Sequence, residues 1–235
     1  MNEGGEVVLP SSLAKQDYVQ SMFDRIAPSY ELVNRVMTFG LDARWRARLV
    51  DAVGTAEVGR ALDLGCGTGD LLRVWRARGI GATGLDLSMG MLSLADCEKQ
   101  RVQAAGEALP FLGSSFDAVT SGFAVRNFSD LREVFTEVAR VLRPGGRFGV
   151  LEVAAPRNRV LRFGHRLYFS KVVPLIGGLI SKDRGAYQYL PKSVVYLPNP
   201  QEWGRLLVDC GFLPPTRIRV GLGAAQIVIA ERRAA

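Results

Sequence analysis

Ala61-Leu-Asp-Leu-Gly-Cys-Gly-Thr-Gly-Asp70 is a short apolar run that passes through three alternating glycines into Leu71-Leu72-Arg73-Val74-Trp75. The run reads as a strand, the glycines as a tight turn and the residues beyond as a helix. Without Cβ atoms at Gly65, Gly67 and Gly69 a ligand can approach the backbone, and the N-terminus of the following helix favours polar or anionic groups. Dinucleotide enzymes use G-x-G-x-x-G to seat a pyrophosphate. Here the spacing is G-x-G-x-G, with a carboxylate, Asp63, two residues ahead of the first glycine. A lone glycine triplet also fits a strand-to-helix connection that binds nothing.

The next strand, Gly81-Ala-Thr-Gly-Leu85, ends on Asp86, 23 positions after Asp63. A doubly wound sheet puts at that distance the carboxylate that bonds a ribose hydroxyl pair. By itself such an Asp is more often a cap or loop residue; next to the glycine turn it favours ribose. The turn with Asp63 resembles motif I of the class I S-adenosylmethionine-dependent methyltransferases. That resemblance implies an α/β, Rossmann-like seven-stranded sheet, mostly parallel with an antiparallel edge strand. It also implies S-adenosyl-L-methionine as cofactor, with S-adenosyl-L-homocysteine as product. The ligand's ammonium would meet Asp63 directly or through water. The cofactor-binding residues it implies are Asp63, Gly65, Gly67, Thr68, Gly69, Asp86, Leu87, Ala105, Gly106, Glu107 and Gly122. Many relatives carry Asp or Asn where Ala105 stands, so the adenine contact falls to the backbone of Ala105 and Gly106.

The 235 residues, 48% of them hydrophobic, suffice for one domain with additions and a sizeable core. The expectation is a loose tail over residues 1–14 and a single methyltransferase domain over 15–235, with a helical cap over 15–55 and a substrate-covering insertion over 157–198. A net charge of +7 points to an acidic partner, nucleic acid or an anionic membrane surface, although the arginines are scattered and any one of them fits a solvated face. Three widely spaced cysteines, Cys66, Cys97 and Cys210, argue for a reducing compartment. Cys66 reads as a small residue filling the turn. With a single histidine, His165, no multi-histidine metal site can be built, and no metal is expected. The first residues lack the basic-then-apolar order of a secretory signal. The apolar run Val172-Val-Pro-Leu-Ile-Gly-Gly-Leu-Ile180 is far shorter than the roughly 20 residues that span a bilayer. The expectation is a cytoplasmic protein, with any membrane contact peripheral on the inner face.

Along the chain, apolar residues at three- and four-residue steps predict a helix from Asp17 that carries Tyr18, Met22, Phe23 and Ile26 and is interrupted at Ala27-Pro28-Ser29. Further helices are predicted over 30–36 and 44–53. Caps of this kind cover the cofactor in class I methyltransferases, which makes Tyr30 a candidate lid residue, packing inside the cap being the alternative. Ser88 caps a helix predicted over 89–99, followed by a third strand over 101–105 and a fourth over 115–120. The loop Ser121-Gly-Phe-Ala-Val-Arg-Asn-Phe128 then leaves the sheet where ligands of open parallel sheets bind. Ser129 is the expected cap of a helix bearing Leu131, Val134, Phe135, Val138 and Leu142. Arg143-Pro-Gly-Gly-Arg147 ends it, and a fifth strand follows over 148–153. A helix over 200–211 and two antiparallel strands within 215–230 complete the pattern. Between them, residues 157–182 mix Arg157, Arg159, Arg162, Arg166 and Lys171 with aromatic and aliphatic residues at helical spacing. That is the composition of an interfacial helix, and equally of a helix packed on the domain with a solvated basic edge.

Three further blocks carry a narrower resemblance: Met22-Phe-Asp-Arg-Ile-Ala-Pro-Ser-Tyr-Glu-Leu-Val-Asn34 with Thr38-Phe-Gly40 and Trp45; Phe123-Ala-Val-Arg-Asn127; and Tyr187-Gln-Tyr-Leu-Pro-Lys-Ser193. Together they resemble the ubiquinone/menaquinone biosynthesis C-methyltransferase family over residues 17–212. Ala105, Gly122 and the ending Gly221-Leu-Gly-Ala-Ala-Gln-Ile depart from its pattern. Membership implies methyl transfer to a ring carbon of a polyprenyl quinol, as from demethylmenaquinol to menaquinol. Such chemistry needs in-line positioning and stabilisation of phenolate charge, with no metal or covalent intermediate. Arg126, whose guanidinium is a poor base, is the candidate for that stabilisation or for orienting a water that takes the proton. Asn127 is the candidate to fix the ring hydroxyl, and Tyr187 and Tyr30 to line the ring pocket or assist proton removal, core packing being the alternative for both. A small-molecule C- or O-methyltransferase of secondary metabolism is the competing reading. A nucleic-acid enzyme is disfavoured because no Asn/Asp-Pro-Pro-aromatic motif follows the fourth strand, and a dead binding module because the turn, Asp63, Asp86 and Arg126 are intact. A homodimer is compatible with all of this.

Overall fold

β1 (Arg60–Leu64) pairs in parallel with β2 (Gly81–Asp86) on one side and β4 (Phe116–Gly122) on the other. β3 (Arg101–Gln103) extends the sheet beyond β2 and β5 (Leu142–Val153) beyond β4, again in parallel. β7 (Ala225–Glu231) runs antiparallel between β5 and the outermost strand, β6 (Thr216–Val220). The order is therefore β3-β2-β1-β4-β5-β7-β6, a mostly parallel sheet with antiparallel pairing at one edge. The computed structural model describes residues 12–54, 58–95, 100–181 and 183–234; residues 1–11 of the tail expected over 1–14, and Cys97, lie outside them.

The strand period of two sorts the core into two layers. Leu62, Leu64, Val119, Phe148 and Val150 face α5 (Leu131–Val141) and α9 (Pro200–Asp209), which add Val134, Phe135, Val138, Trp203 and Leu207. Ala61, Ala118, Leu151 and Ile227 face α2 (Leu41–Val53) and α3 (Asp70–Ala77), which add Leu49, Val50, Leu71 and Trp75. A third cluster joins α1 (Ser12–Met37) to α4 (Met89–Leu94) and α8 (Arg184–Lys192) through Met22, Ile26, Val33, Met91, Tyr187 and Tyr189.

Four local expectations change. The predicted break at Pro28 is absent: α1 runs on as one 26-residue helix and begins at Ser12, within the expected tail. Pro28 faces solvent while Met22, Ile26, Ala27 and Val33 are buried, so apolar burial on one face outweighs the hydrogen bond the proline removes. α4 ends at Leu94 instead of near residue 99, where the Arg101 guanidinium takes the carbonyls of Leu92 and Ala95. The cap of α5 is Asp130, which accepts from the Arg132 and Glu133 N–H groups, while the Ser129 N–H goes to Glu107. β5 begins at Leu142, expected on the helix face, and takes in residues 143–147, expected to be a turn, and its register against β4 shifts between Phe116 and Ala118.

Candidate active site

The strand order reverses between β1 and β4, and a cleft opens there at the carboxyl ends of β1, β2 and β4. Gly65 (φ 68°) and Gly67 (φ 54°) line it in left-handed backbone, and a Cβ on Gly65 would fall 2.5 Å from the Cβ of Ala124. At the end of β2, Asp86 accepts from the Gly67 N–H at 2.8 Å and the Ser88 N–H at 2.9 Å. Burial raises its carboxyl above the ordinary range, against the pull of those backbone donors. Asp86 thus braces the glycine turn and lines the cleft at once. Leu87, Ala105, Gly106, Glu107 and Gly122 line the same cleft. Two buried polar atoms of its wall, Asn127 Oδ1 and Ser129 Oγ, have no hydrogen-bond partner among the described residues. Since buried polar groups are normally paired, this wall suits a polar ligand, and a carboxylate set beside a Cβ-free turn suits one that carries a ribose.

Asp63, Thr68 and Gly69 belong to the turn without lining the cleft. The strand period points Asp63 to the side of α2 and α3, where it is 1% exposed and Thr120 Oγ1 donates to it at 3.3 Å. Trp75 Nε1 in turn donates to Thr120 at 3.1 Å. Burial pushes the Asp63 carboxyl up to about 8, the Thr120 bond and the charge of Arg46 opposing. Thr68 is buried, and Gly69 begins α3 with its N–H on the Cys66 carbonyl at 2.9 Å.

A second cavity adjoins the first, and Tyr30 and Phe123 line both. Phe123 holds a left-handed φ of 59°, a costly conformation for a bulky residue that persists only where its surroundings impose it. Its N–H donates to the Leu151 carbonyl at 2.7 Å and its carbonyl accepts from Arg126 Nη1 at 2.9 Å. Arg126, from the single 3-10 turn Val125–Asn127, also meets Glu152 Oε1 at 2.5 Å through Nη1 and Ser193 Oγ at 3.2 Å through Nε. The rest of its lining is charged in Asp42 and Arg46 and apolar in Met37, Phe169, Val173 and Leu190. Burial opposes ionisation of Asp42, but the Arg46 charge and donors on Thr38 and Arg46 hold its carboxyl below the usual range. A ladder of ion pairs then runs from Asp42 to Arg46, Asp70, Arg73 and Glu31, tying α1 and α2 to the helix that follows the glycine turn.

The candidate residues therefore divide. Tyr30 lines both cavities, Asn127 the first and Arg126 the second. Tyr187 lines neither: it is fully buried in the α1–α8 cluster, against Gly177. Asp42, Arg46 and Glu152 were not singled out from sequence. A lone carboxylate in the apolar second half of β5 and the i, i+4 pair on α2 are the available signals, but only the packing of distant segments gives them meaning.

Comparison with known proteins agrees with this geometry. The sequence profile of the ubiE/COQ5 methyltransferase family matches residues 11–231. A demethylmenaquinone methyltransferase of Roseiflexus castenholzii is 44% identical over 228 residues, covering 94% of this chain and 95% of its own. The ubiquinone/menaquinone biosynthesis C-methyltransferase UbiE of Geobacter sulfurreducens is 37% identical, covering 93% and 90%. Among solved structures, a SAM-dependent methyltransferase of Thermotoga maritima superposes with a TM-score of 0.64 at 18% identity, covering 91% of this chain and 99% of its own, a likeness of fold.

Proposed function

The chain belongs to the ubiE/COQ5 methyltransferase family, and from that premise we propose that it methylates a ring carbon of a polyprenyl quinol, with S-adenosylmethionine as donor. The acceptor is demethylmenaquinol, giving menaquinol, or the benzoquinol equivalent. The observation that carries this reading is the wall of Tyr30 and Phe123 shared by the glycine-turn cleft and a cavity that holds Arg126. Bound in the first cavity, S-adenosylmethionine supplies an activated methyl on a sulfonium. Gly65, Gly67, Asp86 and Leu87 would hold its nucleoside and Ala105, Gly106 and Glu107 its adenine. Asp63 acts from beneath the turn.

A quinol carbon becomes nucleophilic when the neighbouring hydroxyl passes its proton to a water, the phenolate charge must then be met within the site, and the proton on the methylated carbon leaves to water as the ring regains its aromaticity. Arg126 is fixed by Glu152, Ser193 and the Phe123 carbonyl; among the described residues nothing bonds its Nη2, which is the donor we assign to the phenolate. A cation oriented in advance needs no reorganisation as charge develops. Asn127, whose Oδ1 is unpaired, accepts from the ring hydroxyl. Burial raises the Tyr30 phenol above its ordinary value, so Tyr30 positions the ring and does not act as a base near neutral pH.

The apolar lining of the second cavity, Met37, Phe169, Val173 and Leu190, suits the start of an isoprenoid tail. Beyond it, α6 (Arg159–Leu167) has no buried residue. Val160, Phe163 and Leu167 are exposed in one stripe beside another of Arg159, Arg162 and Arg166, the pattern of an interfacial helix. No helix of the described residues is long and apolar enough to cross a membrane, and we propose peripheral association with an anionic bilayer. The test is isotopically labelled S-adenosylmethionine offered with reduced demethylmenaquinone, a polyprenyl benzoquinol and a small phenol. Label in a polyprenyl ring is expected; label in the small phenol alone would overturn the assignment.

A further inference from the structure

A crevice that shares no lining residue with either cavity is lined by four arginines, Arg44 and Arg48 of α2, Arg157 just ahead of α6 and Arg219 of β6. It holds about 530 Å³. Arg44, Arg48 and Arg157 are exposed, and among the described residues no carboxylate bonds any of them. Arg219 donates to the Ala155 carbonyl at 3.1 Å. Like charges do not gather in a crevice for stability; each raises the cost of the next. The neighbouring Arg217 registers this, its guanidinium lowered by burial and then by the charges of Arg219 and Arg157. Four unneutralised guanidiniums around one space make a receptor for a phosphate.

The rim narrows the source of that phosphate. Trp45 forms one wall, close against Gly221, and is half-buried. Leu222 forms the lip, 83% exposed and held at φ 56°. An apolar, branched side chain gains nothing there from burial and is strained in the left-handed region, where Gly or Asn would be at ease. Asn158, also in the crevice, caps α6, whose exposed apolar stripe leads out from it. A free ion has no use for an exposed leucine, an indole edge and an unpacked apolar helix; the headgroup and first methylenes of a lipid have.

We propose that this crevice binds the phosphate of an anionic phospholipid in the bilayer, with Leu222 and Trp45 entering the interface beside it. The site rests on the reading of the chain as a peripheral membrane protein and adds to it a defined anchor point. α6 starts at that anchor, and Phe169 of the acceptor cavity follows two residues after its end. One end of the segment is thereby fixed to a headgroup while the other borders the cavity that receives a membrane-borne ring.

The test is flotation of the full chain with phosphatidylglycerol/phosphatidylcholine vesicles and with phosphatidylcholine alone. The variants are R44Q/R48Q and a control of equal charge loss, R162Q/R166Q, with thermal melting to confirm folding. Diffuse attraction is worth about fivefold per cation at either position. The pocket requires R44Q/R48Q to weaken binding to anionic vesicles at least about tenfold beyond the control. Leu222→Asn should weaken binding without lowering the melting temperature. Brominated lipid should quench the half-exposed Trp45, since Trp75 and Trp203 are 0% and 1% exposed. Equal losses in the two arginine doubles overturn the pocket and leave the membrane reading standing. No flotation of the unaltered chain overturns both. Response of Trp45 to inorganic phosphate without vesicle binding identifies a free-phosphate site and overturns the lipid assignment.

Discussion

Arg126 Nη1 lies 2.5 Å from Glu152 Oε1 at the carboxyl ends of β4 and β5, with the two side chains 8% and 0% exposed. Truncating one member of a buried pair strands the other charge, at a cost of about 3–5 kcal/mol. Arg126→Ala should therefore lose turnover and unfold at lower denaturant. The double variant R126A/E152Q should regain most of the stability and none of the turnover. Recovery of methyl transfer in the double variant would show that Arg126 only neutralises Glu152.

Asp63 titrates near 8 because it is buried, whereas in the unfolded chain it titrates in the ordinary carboxylate range. The folded state thus retains a proton that the unfolded state releases. The associated stability is full below the unfolded value and is lost as pH rises through about 8. The melting temperature of the ligand-free protein should fall from about pH 4 to about pH 8 and level off above that, and Asp63→Asn should flatten the fall. Equal slopes for the two proteins in thermal scans would remove Asp63 as the cause.

Gly65 combines φ 68° with a Cβ position 2.5 Å from Ala124. An Ala there pays for left-handed backbone, about 1–2 kcal/mol, and forces the turn away from the loop after β4. Gly65→Ala should weaken S-adenosylmethionine binding by at least about tenfold in calorimetry, while Gly164→Ala, on the exposed helix α6 with open space around it, leaves binding unchanged. Undiminished affinity in Gly65→Ala contradicts the assignment of the cleft.

Tyr30 stands between the two cavities, with its ring edge-on to Phe23 at 5.8 Å. If it positions the ring, Tyr30→Phe should keep kcat within about threefold and Tyr30→Ala should lower kcat/KM for the quinol by about 10–100-fold, the value of a lost aromatic wall. A loss in Tyr30→Phe as large as in Tyr30→Ala would instead make the phenol the proton-transfer group. Tyr187→Phe, away from both cavities, should change neither constant.

The sheet and the donor cleft were legible because they rest on local rules. Glycines two apart after an apolar strand demand one kind of turn, and a carboxylate at the next strand end falls beside it. The helical limits were less legible. Pro28 signals a break in any local reading, yet the buried face of α1 carries the helix through it. The capping of α5 moved by one residue because Glu107, 22 positions away, claims the N–H of Ser129.

The acceptor side depended on contacts between segments far apart in the chain. The local signals at Asp42, Arg46 and Glu152, an i, i+4 pair and a carboxylate in an apolar stretch of strand, do not assign them to a site, and Tyr30 and Tyr187 look alike in sequence. Yet one lines the junction of two cavities and the other fills a core. The sequence by itself determined the α/β class, the glycine-turn cleft and the family resemblance, since periodicity and turn chemistry act over a few residues. Only the tertiary structure decided that Asp63 lies beneath the turn, that Glu152 holds Arg126, and that Arg44, Arg48, Arg157 and Arg219 share one crevice, because burial and charge are set by what the rest of the chain brings alongside.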